Sequence, residues 1–153
     1  MNSNHEFFMN EALKLAQISY DNGDIPIGAV VVLDNKIIGC GYNRKELLQD
    51  GTEHAEIMAL KEASKNLNSH HLDDCNIYIT LEPCVMCAGA ILNCRINNVF
   101  VGARNKRFGA CGSYINILDM DFNHRSNVFF GVLEKSCSSI ISKFFKNLRN
   151  SKN

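Results

Sequence analysis

No stretch of eighteen consecutive apolar residues occurs in this sequence, and its first residues lack the basic region and apolar run of a signal peptide. The chain also contains no internal repeat and no low-complexity linker. These absences argue against a membrane-spanning, exported or repeat protein. They predict a soluble, cytosolic protein. A length of 153 residues with 46% hydrophobic content predicts a single domain over residues 1–153.

A disulfide framework is missing as well. The chain has seven cysteines, an odd number, and their spacing shows no paired pattern. Such usage suits a reducing compartment, where thiols bind metals or pack in the core. Five of the cysteines are expected only to pack: Cys40, Cys75, Cys94, Cys111 and Cys137.

The net charge is zero, but the charges are distributed unevenly along the chain. Residues 1–103 carry seven Lys and Arg against thirteen Asp and Glu, a balance of −6, whereas residues 104–153 carry nine against three, a balance of +6. Such basic groups attract phosphates, although a solvated helix face and a frayed tail would carry the same charges. Seven of these nine basic residues fall in two groups: Arg104, Lys106 and Arg107, and then Lys143, Lys146, Arg149 and Lys152.

Hydrophobic periodicity and turn residues predict the element order α-β-β-α-β-α-β-β-α. The opening helix ends near Asn22-Gly23, Thr52 caps a helix that runs through Ala63, and residues 104–126 are mostly irregular. This order indicates a layered α/β fold with a mixed sheet covered by helices on both faces. The remaining segments are strands over 29–33, 36–43, 76–80, 98–103 and 128–133, a helix from Pro83 to about Cys94, and a last helix over about 134–149 with a basic tail.

Two short motifs hold the residues with the most specific chemistry. Thr52–Glu56 contains His54 and Glu56, and Leu81–Cys87 contains Cys84 and Cys87. His and two Cys are zinc ligands, and three protein ligands leave the fourth tetrahedral position open for water or substrate. We expect His54 in the first turn of one helix and both cysteines in the first turn of another, where the helix dipole favours the thiolate. Glu56 is not needed as a ligand and can carry protons, so the motifs predict a catalytic zinc site.

Other interpretations exist for each motif taken alone. A Cys-x-x-Cys pair also occurs as a redox pair or as half of a structural zinc site, and His-x-Glu is common by chance. A redox pair would leave His54 and Glu56 without roles. A structural site would need a fourth ligand, and the remaining cysteines and histidines offer no second pair at matching spacing.

The combined motifs resemble the signature of the zinc-dependent cytidine/deoxycytidylate deaminase superfamily. Over about His5 to Arg149, the sequence is similar to its bacterial tRNA-specific adenosine deaminase branch. The resemblance implies a three-layer α/β/α cytidine-deaminase-like fold with a mixed five-stranded sheet. The matching segments are Ile25–Val31, Gly41–Arg44, His54–Leu60, Tyr78–Ile91, Gly102–Arg104 and Phe144–Phe145.

The resemblance also implies an activity: hydrolysis of the wobble adenosine of a tRNA anticodon to inosine, with release of ammonia, by a homodimer. One zinc ion per subunit would be bound by His54, Cys84 and Cys87. Glu56 would take a proton from the attacking water, deliver it to purine N1 and then protonate the departing amine.

Further residues are implied at the substrate. Asn43 would hydrogen-bond the nucleoside, Ile27 and Leu81 would wall the base pocket, and the basic tail would hold flanking nucleotides. Adjacent helical residues cannot both face one pocket, so one of Phe144 and Phe145 is expected to bind RNA and the other to pack. The complete set implied at the substrate is Asn43, Ile27, Leu81, Arg104, Phe144, Phe145 and Arg149.

Two positions depart from the usual pattern of this branch. Lys45 stands where proline often follows Asn-Arg, and Asn105 stands where an acidic residue often follows Ala-Arg. Neither departure touches the zinc ligands or Glu56, but both concern loops that would contact RNA.

Two alternative functions are a deaminase of a free base, nucleoside or nucleotide, and a noncatalytic zinc-stabilised RNA-binding module. The basic C-terminal helix favours RNA over a small substrate, and Glu56 favours an enzyme over a binding module.

Overall fold

The computed structural model describes residues 3–152. Five helices, five strands and a short 3-10 turn occur among these residues, in the predicted order except for one added four-residue helix, α2. The elements are α1 (Ser3–Asp21), β1 (Gly28–Leu33), β2 (Lys36–Tyr42), α2 (Lys45–Leu48), α3 (Ala55–Leu67), β3 (Asn76–Leu81), α4 (Val85–Asn93), β4 (Asn98–Ala103), the turn Ile117–Asp119, β5 (Asn127–Phe130) and α5 (Glu134–Ser151).

The five strands form one mixed sheet with the order β2-β1-β3-β4-β5. Strand β1 is antiparallel to both β2 and β3, whereas β3, β4 and β5 are parallel. The start of β1 therefore lies at the same edge of the sheet as the ends of β2, β3 and β4. This shared edge, which we call the carboxyl edge, is where loops from four strands meet.

Alternating strand residues supply two separate cores, one on each face of the sheet. Ala29 and Val31 of β1 pack with α3 and α4, while Val30 and Val32 pack with α1 and α5. The same alternation continues in β3, where Tyr78 joins the second core. Successive strand residues point to opposite faces of the sheet, and because both sets are buried, helices must cover both faces. The prediction of a three-layer α/β/α fold with a mixed five-stranded sheet is thus confirmed.

Some predicted boundaries were wrong. Thr52 does not cap α3, because its hydroxyl donates to the Asp50 carboxylate at 2.7 Å and the helix begins only at Ala55. The last strand ends at Phe130 rather than at residue 133. Gly131 there takes a left-handed φ of +94°, which turns the chain toward α5. Across residues 3–152, every helix is too short or too polar to traverse a lipid bilayer.

Three glycines allow helices to approach the sheet closely. A Cβ atom on Gly28 would overlap the backbone of α1 at Ala12, and one on Gly39 or Gly41 would overlap the backbone of α3 at Ala59 or Ala55. Alanine on the helix faces glycine on the strand at each point. Helix α3, whose N-terminus leads into the carboxyl edge, therefore lies directly on the backbone of β2.

We predict that Gly41→Ala destabilises the protein by about 1–3 kcal/mol, because the new methyl group must displace the α3 backbone. Gly51→Ala is the matched control. A methyl group at position 51 would meet no atom within 4 Å, so the effect of this change should stay within about 0.5 kcal/mol. Urea denaturation monitored by circular dichroism measures both values. Equal stabilities of the two variants would contradict the close packing.

Candidate active site

The N-termini of α3 and α4 meet at the carboxyl edge. His54 is the N-cap of α3, Cys84 is the N-cap of α4, and Cys87 lies in the first turn of α4. The prediction that His54 and Cys84 lie within first turns was therefore wrong by one residue. Both have extended backbones, with ψ values of 151° and 178°, so each ends a loop just before its helix begins. The positive ends of both helix dipoles favour a thiolate there.

Three ligand atoms converge between these helix ends. The Nδ1 atom of His54 lies 3.7 Å from Sγ of Cys84 and 3.4 Å from Sγ of Cys87. Two atoms that bind zinc tetrahedrally at about 2.1 and 2.3 Å are roughly 3.6 Å apart. Within residues 3–152, this is the one group of three or more His, Cys, Asp or Glu side chains close enough to share an ion. The donor set and its spacing fit a zinc ion with a fourth position open.

The protonation of the two thiols is coupled. Hydrogen bonds from the Cys87 thiol and from His54 lower the pKa of Cys84 to about 3. The pKa of Cys87 is raised, because its thiol donates to Cys84 and is buried. The hydrogen bond with Cys84 also raises the pKa of His54. A cation at this position competes with the proton for the Cys87 sulfur and favours its release.

Glu56 lies beside this group in the first turn of α3 and is 3% exposed. Burial raises the pKa of its carboxyl group. Its Oε1 atom is buried and has no hydrogen-bond partner among the described residues. A buried acceptor without a donor is costly, so it points to a donor that arrives with water or substrate.

Asn43, directly after β2, has a second such atom. Its Nδ2 atom donates to the carbonyl oxygen of Ile25 at 3.3 Å, which fixes the orientation of the amide. Its Oδ1 atom is left buried and unpaired within the part of the chain that the structure describes. Ser19 donates to the Asn43 carbonyl oxygen at 2.7 Å and holds this residue in place.

A pocket of about 570 Å³ at the carboxyl edge joins these groups, a size typical of small-ligand sites. Glu56 and Asn43 line it together with His54 and Cys84. Four basic residues lie at its rim, whereas its acidic side chains, Glu56 and Glu82, are buried. The other lining residues are Ile25, Ile27, Lys45, Leu81, Arg104, Asn105, Lys106, Arg107, Phe108, Ile141 and Phe145.

The residues expected at the substrate fall into two groups. Ile27, Asn43, Leu81, Arg104 and Phe145 line the pocket. The other two, Phe144 and Arg149, lie outside its lining. Phe144 is 8% exposed and packs edge-on against Tyr20, and Arg149 is exposed on the last turns of α5. The roles of all seven in binding stay predictions.

Other residues of the pocket were missed from the sequence. Phe108 and Ile141 line it, and Asp24 and Glu82 support its walls. Asp24 is 1% exposed and accepts the backbone N–H groups of Glu46 and Leu47 at 2.6 and 3.1 Å, which caps α2. The position of Glu82 next to Pro83-Cys84 was the one signal in the sequence that pointed to its importance.

Comparisons with known proteins agree with this geometry. A family model that describes MafB19-like deaminases matches residues 3–149. The tRNA-specific adenosine deaminase of Bacillus subtilis (strain 168) is 40% identical over 148 residues, or 96% of this chain and 92% of that protein. The tRNA-specific adenosine deaminase of Aquifex aeolicus (strain VF5) is 42% identical over 146 residues, or 95% of this chain and 96% of that protein. A solved structure from work on A-to-I editing by tRNA:A34 deaminases superposes with a TM-score of 0.84 and 36% identity, covering 88% of this chain and 98% of that one. This chain therefore belongs to the MafB19-like deaminase family and to the same family as these tRNA-specific adenosine deaminases.

Proposed function

We propose that this protein converts the wobble adenosine of a tRNA anticodon to inosine by hydrolysis, with release of ammonia. One observation carries the proposal: Glu56 and Asn43, each with a buried and unpaired oxygen atom, line one pocket together with His54 and Cys84 of the metal-ligand group, under a basic rim. A hydrolytic site needs an acceptor for the proton of water, and a nucleoside site needs polar contacts in an enclosed pocket. The relatives' names support tRNA as the substrate.

His54, Cys84 and Cys87 would hold a zinc ion. Zinc bound there supplies a Lewis acid that lowers the pKa of a water molecule from roughly 15.7 to about 7. The three side chains themselves orient the site, because each comes from the beginning of a helix packed on the sheet.

Glu56 would move the protons of the reaction. Its carboxylate takes a proton from the attacking water and delivers it to purine N1 as the oxygen adds to C6. It then passes the second water proton to the departing amino group, so that adenosine and water give inosine and ammonia. Burial raises the pKa of Glu56, which helps its carboxyl group to hold a proton between these steps.

Recognition would be divided between the pocket and its rim. Asn43 Oδ1 accepts a hydrogen bond from the nucleoside, and Ile27 and Leu81 form apolar walls around the base. We propose that Phe145, which lines the pocket, contacts RNA and that Phe144 packs. Arg104 stacks on Phe130 at 3.8 Å and its Nη1 atom donates to the Ser113 hydroxyl at 3.5 Å; we propose that this exposed guanidinium binds a phosphate.

We further propose a homodimer in the cytoplasm. Apolar side chains remain exposed in the segment after β4, including Phe108 (63%), Tyr114 (71%) and Phe122 (52%). Exposed aromatic side chains close together in sequence support an interface with a second copy. The reliance on two thiol ligands suits a reducing compartment.

We predict one zinc ion per chain and its loss in Cys87→Ser, because hydroxyl oxygen is a poor replacement for a thiolate ligand. Cys94→Ser, at the C-cap of the same helix, is the matched control and should keep its zinc. Elemental analysis of the purified variants gives the stoichiometry. Full activity after a chelator has removed the zinc would contradict a catalytic metal.

We predict that the protein forms inosine in an adenosine-containing anticodon stem-loop and that Glu56→Gln lowers turnover by about 10²–10⁴-fold. The variant should still bind zinc and RNA, because Glu56 is assigned to proton transfer and not to ligation. Chromatography of digested RNA measures inosine directly. Free adenosine, guanine and cytidine are tested in parallel.

Glu62→Gln is the matched control, since Glu62 is an exposed acid on the same helix and should be dispensable. Turnover of Glu56→Gln within a few-fold of the parent would remove Glu56 from the mechanism. Preferred turnover of a free base or nucleoside would replace tRNA by a small-molecule substrate.

We predict that Lys146→Gln/Arg149→Gln weakens stem-loop binding and flattens its salt dependence. Both residues are exposed on α5, and the described ion pairs involve neither of them. Each lost phosphate contact should reduce the slope of log K against log salt by about 0.7–0.9. Fluorescence anisotropy over a salt series measures this slope.

Lys36→Gln/Lys65→Gln removes the same charge elsewhere and serves as the control. Lys36 lies at the β1–β2 turn and Lys65 in the last turn of α3, both away from the carboxyl edge. Identical slopes for the two double variants would show that α5 presents only a solvated surface.

A further inference from the structure

A buried carboxylate forms part of one wall of the pocket. Glu82 is 2% exposed and stands between the end of β3 and the ligand Cys84. Its Oε2 atom accepts the backbone N–H of Asn105 and its Oε1 atom accepts that of Ser113, both at 3.2 Å. These amides lie near the two ends of residues 104–113, which we call the rim segment. One side chain thus ties both ends of this segment to the sheet.

The rim segment is wrapped closely around this carboxylate. A Cβ atom on Gly109 would overlap the Glu82 carboxyl group and the Asn105 carbonyl oxygen. Gly109 donates its N–H to the Asn105 carbonyl oxygen at 2.8 Å, and Ala110 donates to that of Pro83 at 2.9 Å. The first of these hydrogen bonds lies within the rim segment, and the second joins the segment to the residue that precedes Cys84.

The side chains of the rim segment depend on this backbone for their placement. Arg104, Lys106, Arg107 and Phe108 all line the pocket and are exposed. The described ion pairs include none of these three cations. Arg104 stacks on Phe130, and Arg107 lies 5.4 Å from the ring of Phe108. Arg104 thus contacts the sheet through Phe130 of β5, whereas the positions of Lys106 and Arg107 depend on the backbone of the rim segment.

We propose that Glu82 is a positioning residue that holds the rim segment as a wall of the pocket and thereby sets the affinity for the RNA substrate. This inference rests on the proposed function, from which it takes tRNA as the substrate. A carboxylate is suited to this task because both of its oxygens only accept hydrogen bonds. Hydrogen bonds to an ionised acceptor are also stronger than those between neutral groups.

Glu82→Gln is the sharpest test, because it keeps the shape and replaces one acceptor by an N–H₂ donor. One of the two rim amides then faces a donor and loses its partner. We expect the Asn105 or Ser113 amide to exchange with solvent about tenfold faster or more, while amides of α3 are unchanged. For the stem-loop, KM should rise about tenfold and kcat should stay within about threefold. Zinc content should equal that of the parent.

Gly109→Ala provides an independent route to the same displacement. Its methyl group pushes the rim segment away from Glu82, so it should raise KM in the same way. The KM of the double variant Glu82→Gln/Gly109→Ala should be about equal to that of the poorer single variant, because both changes disrupt the same contact between Glu82 and the rim segment. Ile77→Val, in the core of β3, controls for general destabilisation and should change neither KM nor the exchange of the rim amides.

Unchanged exchange at Asn105 and Ser113 in Glu82→Gln would overturn the proposal, as would an equal loss in kcat and kcat/KM with KM preserved. The proposal would also be overturned if the KM increase of the double variant equalled the product of the increases in the two single variants. A parent protein that binds no stem-loop would overturn the proposed function and with it the role in RNA affinity. The exchange data would still decide whether Glu82 holds the rim segment.

Discussion

The contact between helix α3 and the backbone of β2 is the constraint on which the site depends. Gly39 and Gly41 leave no room for side chains under Ala59 and Ala55, so the helix lies directly on the strand. This contact sets the height of the α3 N-terminus above the sheet and brings His54 to within 3.4 Å of Cys87, which belongs to a different helix. A displacement of about 1 Å between the two helices would separate the ligand atoms beyond the spacing that one zinc ion requires.

The mixed sheet explains why the pocket forms where it does. An all-parallel sheet would place the start of β1 at the opposite edge from the ends of β3 and β4, whereas the antiparallel β1 starts at the same edge as these ends. Ile27 and Asn43, at the two open ends of the first hairpin, therefore face the same pocket as Leu81 and Arg104. Among the residues that line the pocket, the acidic side chains of Glu56 and Glu82 are buried, whereas the four basic side chains are exposed. That arrangement suits a substrate whose backbone is anionic and whose reacting base enters an enclosed space.

The support of the pocket walls follows one physical pattern. Asp24 and Glu82 are both almost fully buried, and each accepts two backbone N–H groups from a segment that borders the pocket: Asp24 from the start of the short helix α2, and Glu82 from the rim segment. Loops carry few packed side chains, so charged acceptors beneath them provide the order that apolar burial provides elsewhere. The basic side chains of the rim can then face solvent without losing their positions.

The zinc ligand types, the candidate proton carrier Glu56 and the order of the main elements could be predicted from the sequence, because motif spacing and periodicity are local properties. The position of His54 at an N-cap, the end of β5 at Phe130 and the choice of Phe145 over Phe144 at the pocket could not, since they depend on which neighbours each residue meets. The sequence by itself determined which chemical groups are available: the atoms that can bind a metal, the group that can carry a proton and the positions where basic charge is concentrated. Only the tertiary structure decided that Glu82 lies beneath the rim segment and that Asn43 keeps an unpaired oxygen in the pocket. The physical reason is that hydrogen bonds between residues 23 or 31 positions apart arise only when the sheet has brought their segments together.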